Sequence, residues 1–273
     1  MNVCDVEQLI TNIDEYFNSN YTKLKIFGIG TIDFEKIVLP DTLKKITISR
    51  FFVGSIENLK IPNTVESVIF GQYHQIPLNN IKFPENLKKI KFKKDCSFNL
   101  SLQKIKLPDK LEKLIFPDCY NCSLDNVKLP KSLKIMKFGE KFDCEIFNIS
   151  FPDSLEVLTF GKCFNKSVEK VNFPQNLKIL EFGSGFNKSL VDLHFPKNLK
   201  RITFNNKVTF PLNNLPENVE EVIFTKIDVK LDNLPANLKY IKIKGNNWEK
   251  SIKFIKKIPL DCKIFVYGEN YDE

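Results

Sequence analysis

The sequence holds one alanine, Ala236, two arginines, Arg50 and Arg201, and two histidines, His74 and His194. Two histidines this far apart in the chain assemble no Ser-His-Asp or Cys-His arrangement for nucleophilic catalysis. Neither a G-x-x-x-x-G-K-[ST] loop nor a G-x-G-x-x-G turn occurs, which removes the familiar backbone cradles for phosphate. No run of 18 apolar residues is present, so no membrane partner is expected. Met1 to Asp5 lacks a basic segment leading into an apolar run, and the expectation is an intracellular, cytoplasmic protein that is not secreted.

The scarcity of arginine also bears on charge. Basic residues number 41 against 33 acidic, a net charge of +8, and lysine supplies all but two of the cations. Phe, Ile, Lys and Asn are all heavily used, and their codons are rich in A and T. Base composition therefore accounts for much of the lysine without any anionic partner. Arginine is the preferred reader of phosphates and base edges, so its absence weighs against nucleic acid.

Seven cysteines make an odd number, and they fall at repeat-determined places rather than in a disulfide framework. Reduced, partly buried thiols are expected. Cys119-Tyr120-Asn121-Cys122 is a C-x-x-C, but a structural zinc needs four ligands and no second pair stands at a suitable spacing. The expectation is no metal, no cofactor and no enzyme. N-x-S/T sequons at Asn20, Asn99, Asn121, Asn148, Asn165 and Asn187 recur because the repeat carries Asn two residues before Ser.

What is present is a repeat. Prolines 40, 62, 84, 108, 130, 152, 174, 196, 216, 235 and 259 recur with a spacing near 22 residues. Three, six and eight residues after every one of them the sequence is apolar, as at Leu177, Leu180 and Phe182, or Cys262, Phe265 and Tyr267. Glycine often comes next, at Gly71, Gly139, Gly161, Gly183 and Gly268. The pattern L-x-x-L-x-F ends in period-two alternation and reads as a short strand between turn signals. A second strand is expected before the proline, at Leu102 to Leu107 and Val168 to Phe173. One turn cannot bury its own apolar side, but turns stacked in parallel register can.

An aromatic column is expected inside this coil at Phe52, His74, Phe98, Tyr120, Phe142, Phe164 and Phe186. Asn or Gln usually follows (Gln75, Asn99, Asn121, Asn165, Asn187), and a buried amide there would pair with backbone groups at the bend. His74 reads as an aromatic substitute in the core.

The runs Phe186 to Phe204, His74 to Pro84 and Phe210 to Pro216 resemble the FNIP repeat, over roughly residues 31 to 245. That leucine-rich-repeat-like family is common in social amoebae and in giant viruses that infect amoebae. The resemblance implies an interaction module, and an intracellular protein partner, with a host protein as one candidate. Some relatives carry an F-box, for which residues 1 to 20 are too few.

The expected fold is mainly β, a leucine-rich-repeat-like parallel β-solenoid of about ten turns. Residues 1–20 read as an N-terminal helical cap, with Val6, Leu9, Ile10, Ile13 and Phe17 at helical spacing. Residues 21–245 form the solenoid. Residues 246–273 read as a helix-strand cap, and the protein is expected to be a monomer. The shortened repeats around Pro211 to Pro216 and Leu231 to Pro235 are expected to drop the pre-proline strand and to be the weak point.

Two charge columns follow from the repeat. Four residues after each proline stand Lys44, Glu66, Lys88, Glu112, Lys134, Glu156, Lys178, Lys200, Glu220 and Lys239, so opposite charges alternate and oppose slipped registers. Two residues before the proline stand Lys60, Lys82, Lys106 and Lys128, unrelieved by acid in their own column. Those four are the candidate binding residues. They suit an acidic protein surface in a non-catalytic scaffold, or, in the alternative, a nucleic acid or other polyanion met by a lysine column on one sheet.

Overall fold

A computed structural model describes residues 18–26, 37–48, 56, 58–72, 78, 81–246 and 248–268. The helix expected in residues 1–20 and the side chains of Phe52, His74 and Gln75 lie outside the described residues, except for 18–20, which are not helical.

Each proline of the series opens a tight turn. Its carbonyl accepts the N–H three residues on, from Leu43 to Pro40 at 3.0 Å through Cys262 to Pro259 at 3.2 Å. The turn delivers the chain into a short strand, one for each proline. The molecule divides into two compact units, Met1–Gly139 and Glu140–Glu273. The first contains β1 (Lys23–Ile26), β2 (Lys45–Ile48), β3 (Ser67–Phe70), β4 (Lys89–Phe92), β5 (Lys113–Ile115) and β6 (Ile135–Lys137). The second contains β7 (Val157–Thr159), β8 (Ile179–Phe182), β9 (Arg201–Val208), β10 (Glu221–Ile227), β11 (Tyr240–Lys244), the helix α1 (Trp248–Ile252) and β12 (Lys263–Tyr267).

Within each unit the strands pair in parallel with their chain neighbours, and equivalent repeat positions face each other. Lys45 lies beside Ser67, Ile46 beside Val68, and Ile48 beside Phe70. Leu155, Leu158, Phe160, Phe164, Val168, Val171 and Phe173, all from one repeat, are buried together. Each fully buried Leu or Phe contributes about 1.5–3 kcal/mol, which is why so short a strand holds.

Two aromatic columns interlock in this core. The ring that ends the strand stacks on the ring four residues later, Phe160 on Phe164 at 4.0 Å and Phe182 on Phe186 at 4.1 Å. The second column then stacks on itself, Phe164 on Phe142 and on Phe186 at 6.1 Å each. Glycine stands at the bend between the two rings because consecutive turns nearly touch there. A Cβ on Gly183 would collide with the carbonyl of Gly161, and one on Gly139 with that of Pro117.

The Asn and Ser of the repeat hold the next bend. Asn99 Oδ1 accepts the N–H of Asn121 at 2.8 Å, and Asn165 Oδ1 that of Asn187 at 3.0 Å, each one turn further on. Asp143 substitutes at one step, accepting from Asn165 at 2.9 Å. Serine Oγ accepts the N–H two residues on, Asp125 to Ser123 at 3.0 Å and Val191 to Ser189 at 3.2 Å. The recurrent sequon is thus a turn device. Its asparagines lie at the surface, exposed or half-exposed, rather than buried as expected, because each amide reaches along the outside of the coil.

Three further expectations are corrected. Among the described residues no second strand precedes the proline, since the backbone closes on itself there. The N–H of Val171 bonds the carbonyl of Val168 at 3.1 Å, and that of Phe173 bonds Val171 at 3.2 Å, leaving no ladder to the next turn. The shortened repeats therefore have no such strand to lose, and what sets them apart is that their chain skips the aromatic bend and runs straight on. β9 and β10 reach 8 and 7 residues, the longest among the described residues, and pair as far as Ile227 beside Val208.

The last repeat also departs from the pattern. Phe265 and Tyr267 do not continue the inward column, because β12 pairs one residue out of step, with Ile264 beside Ile241 and Val266 beside Ile243. A one-residue slip turns every side chain to the other face. Asp261, in the turn that feeds β12, has a φ of 60°. α1 packs against β10 and β11, where the buried Ser251 hydroxyl accepts the N–H of Ile227 at 3.1 Å.

Candidate binding surfaces

Lys60, Lys82, Lys106 and Lys128 are all exposed. They do not lie on a sheet, as expected for the polyanion reading, because the pre-proline segment that carries them is not a strand. Lys106 and Lys128 line one open groove together with Lys104, Lys131, Asp109 and Asn126. Further along the chain the same repeat position is occupied by Ser150, Asn172 and His194, also exposed.

The alternating column is satisfied within itself. Lys88 pairs with Glu66 at 3.2 Å, Lys134 with Glu112 at 3.2 Å, and Lys178 with Glu156 at 2.9 Å. Glu220 is held by Lys200 and Lys239 at 2.8 Å each, and hydrogen bonds from these two ammonium groups bring its carboxyl down to about 2. Exposed pairs of this kind contribute about 0–1 kcal/mol each. This column is occupied with its own structure.

The outward face of the strands is different, and reading the columns four after and two before the proline missed it. In β1 to β6 the side chains pointing away from the core are Lys23, Lys25, Lys45, Thr47, Ser67, Ile69, Lys89, Lys91, Lys113, Ile115, Ile135 and Lys137. Seven are lysine and none is acidic. Lys23 sits beside Lys45, and Lys89 beside Lys113, in directly paired register. Like charges placed side by side across strands destabilise. Burial, then the neighbouring Lys91, Lys113 and Lys45, push the Lys89 ammonium below its usual range. The signal was present five and seven residues after each proline, at the two outward positions of the L-x-x-L-x-F run.

In the second unit the same face is balanced. Arg201 and Lys242 both pair with the Glu221 carboxylate, Lys242 at 2.9 Å, and Glu221 is only 7% exposed. Asn205 donates to Glu181 at 3.1 Å. The slip of β12 adds Phe265 to this face, 6.0 Å from Tyr240 and 6.4 Å from Tyr267.

Two thiols bond to the turn before their own. Cys119 donates to the carbonyl of Cys96 at 3.1 Å, and Cys122 to Asn99 Oδ1 at 3.3 Å. Burial, then Cys119, pushes the Cys122 thiol up, away from the nucleophilic thiolate. Among the described residues no three His, Cys, Asp or Glu side chains are grouped to hold a metal ion. Among the same residues no helix is long and apolar enough to cross a membrane.

A BspA-type leucine-rich-repeat model matches residues 25–137 in six copies, and an FNIP-repeat model matches residues 120–163 and 164–207. The chain is a repeat solenoid that carries FNIP repeats over residues 120–207. The FNIP residues now have physical roles, with Phe164 and Phe186 in the core and Asn165 and Asn187 in the ladder between turns. FNIP and leucine-rich repeats are typically non-catalytic scaffolds. Among solved structures the chain is similar to CroV588, a circular leucine-rich-repeat protein of a giant virus, at 25% identity and a TM-score of 0.68. That likeness covers 91% of this chain and 40% of CroV588, so the FNIP-repeat chain spans about two fifths of the larger protein. An internalin from Listeria monocytogenes aligns at 11% identity and a TM-score of 0.46, over 100% of this chain and 91% of its own. No curated protein matches the sequence.

Proposed function

We propose that this FNIP-repeat protein is a non-catalytic interaction scaffold that presents its repeat surface to an acidic protein partner. The repeat's asparagine, serine and thiol side chains are largely engaged in turn-to-turn or turn-closing bonds, which leaves the lysines as the surface available to a partner. The observation that carries the reading is the exposure of Lys60, Lys82, Lys106 and Lys128 at one repeat position in four successive turns, two of them lining a common groove. A protein surface is favoured over a polyanion because only Arg50 and Arg201 are arginine.

Affinity capture from the native cell with mass spectrometry, using the parent and a variant with all four lysines changed to Gln, tests this. The expected result is a protein partner retained by the parent and lost by the variant, with the fold unchanged by circular dichroism. A partner retained equally by both, or nuclease-sensitive nucleic acid as the only captured species, overturns it.

A further inference from the structure

The strand face of the first unit sets lysine beside lysine in paired register, which carries a cost. In two other columns of this chain glutamate stands between cations. The column four residues after the proline alternates sign and pairs, and the face of β9 to β11 places Glu221 between Arg201 and Lys242. Both arrangements come from the same codon supply, so base composition does not explain why no acid occupies any of the twelve outward positions of β1 to β6. Glu66 and Glu112, which directly precede β3 and β5 positions of that face in the chain, are already bound to Lys88 and Lys134.

The remaining side chains of the face give the chemistry of an occupant. Ile69, Ile115 and Ile135 are half-buried between the lysines, with Thr47 and Ser67 beside them. No aromatic ring and no arginine stands at an outward position of these six strands. Single-stranded nucleic acid gains affinity by stacking bases on aromatic rings, and base edges are read mainly by arginine, asparagine and glutamine. Carboxylates with aliphatic neighbours match lysines with isoleucines. We propose that the outward face of β1 to β6 binds an extended acidic peptide segment that carries aliphatic side chains. The proposal rests on the scaffold reading and names a second surface for it, apart from the pre-proline lysines. Strands lie about 4.8 Å apart and an extended peptide rises about 3.4 Å per residue, so roughly 8 residues cross the six strands.

The test uses the full chain and a fluorescent peptide of that length alternating Glu and Leu, read by anisotropy at low and moderate salt. Changing Lys89, Lys91 and Lys113 together to Gln should weaken binding about tenfold or more and flatten its salt dependence. Changing the same three to Arg should keep it, and changing Lys60, Lys82, Lys106 and Lys128 to Gln should weaken it far less than the triple change does. Polyglutamate of equal charge should bind more weakly than the Glu-Leu peptide, and so should a single-stranded RNA of equal charge. Equal binding by parent and triple Gln variant overturns the proposal, as does tighter binding of the RNA. It also falls if sedimentation shows a dimer that the triple change abolishes, since the occupant is then a second copy of the chain. Loss of peptide binding only in the pre-proline variant sinks this face while leaving the scaffold reading intact. The capture experiment judges that reading independently.

Discussion

The strand faces of β1 to β6 and of β8 to β11 are built on the same turn, the same inward leucines and the same stacked rings, yet they carry charge in opposite ways. The second interleaves Arg201, Glu221 and Lys242 into a cross-strand network around a nearly buried carboxylate. The first sets Lys23 beside Lys45 and Lys89 beside Lys113. A shared core under two unlike faces separates what the fold requires from what it merely permits. The inward columns are needed for any turn to exist, and the outward positions are open to a different demand.

That separation predicts equal sensitivity inside and unequal sensitivity outside. Phe98 in the first unit stacks on Phe92 at 4.4 Å, as Phe164 stacks on Phe160 in the second. Both are fully buried. Phe98→Ala and Phe164→Ala should each cost about 3–5 kcal/mol in urea denaturation. A loss below about 1 kcal/mol at either site would remove the common core on which the comparison stands.

A smaller effect is expected at Glu221. Glu221→Gln keeps the shape but leaves Arg201 and Lys242 without their shared carboxylate, at about 1–3 kcal/mol. The loss should shrink as salt is added, because Arg201 is partly exposed. A salt-independent loss would mean that packing, rather than charge, balances this face.

Much of this was legible in the sequence because the repeat makes position equivalent to environment. The eleven prolines located the turns, and the apolar residues three, six and eight places later located the core, from Leu43 to Ile243. The Lys-Glu alternation four residues after the proline became a run of observed ion pairs. The failures have separate causes. Val168 to Phe173 alternates like a strand, but strand content depends on hydrogen bonds to a neighbour, and this backbone bonds to itself. Asn205 and Asn206 carry no visible instruction to continue β9, since the missing bend is an absence. In the last repeat, Phe265 and Tyr267 fit the inward positions as well as Ile264 and Val266 do, and nothing in that pattern marks the one-residue step in pairing.

The lysine face was overlooked for a related reason. Its residues become one surface only when the register Lys45 beside Ser67, then Ser67 beside Lys89, is known. Charge counts along the chain average it against the glutamates of the adjoining column.

The paired lysines of β1 to β6 are expected to oppose the fold rather than support it. Urea denaturation of the parent and of the Lys89→Gln, Lys91→Gln, Lys113→Gln variant, each at low and high salt, tests it directly. The account predicts a variant at least as stable as the parent at low salt, by up to about 1 kcal/mol, with the difference closing as salt screens the repulsion. A variant less stable than its parent at low salt would show that these lysines hold the fold, and would contradict the account.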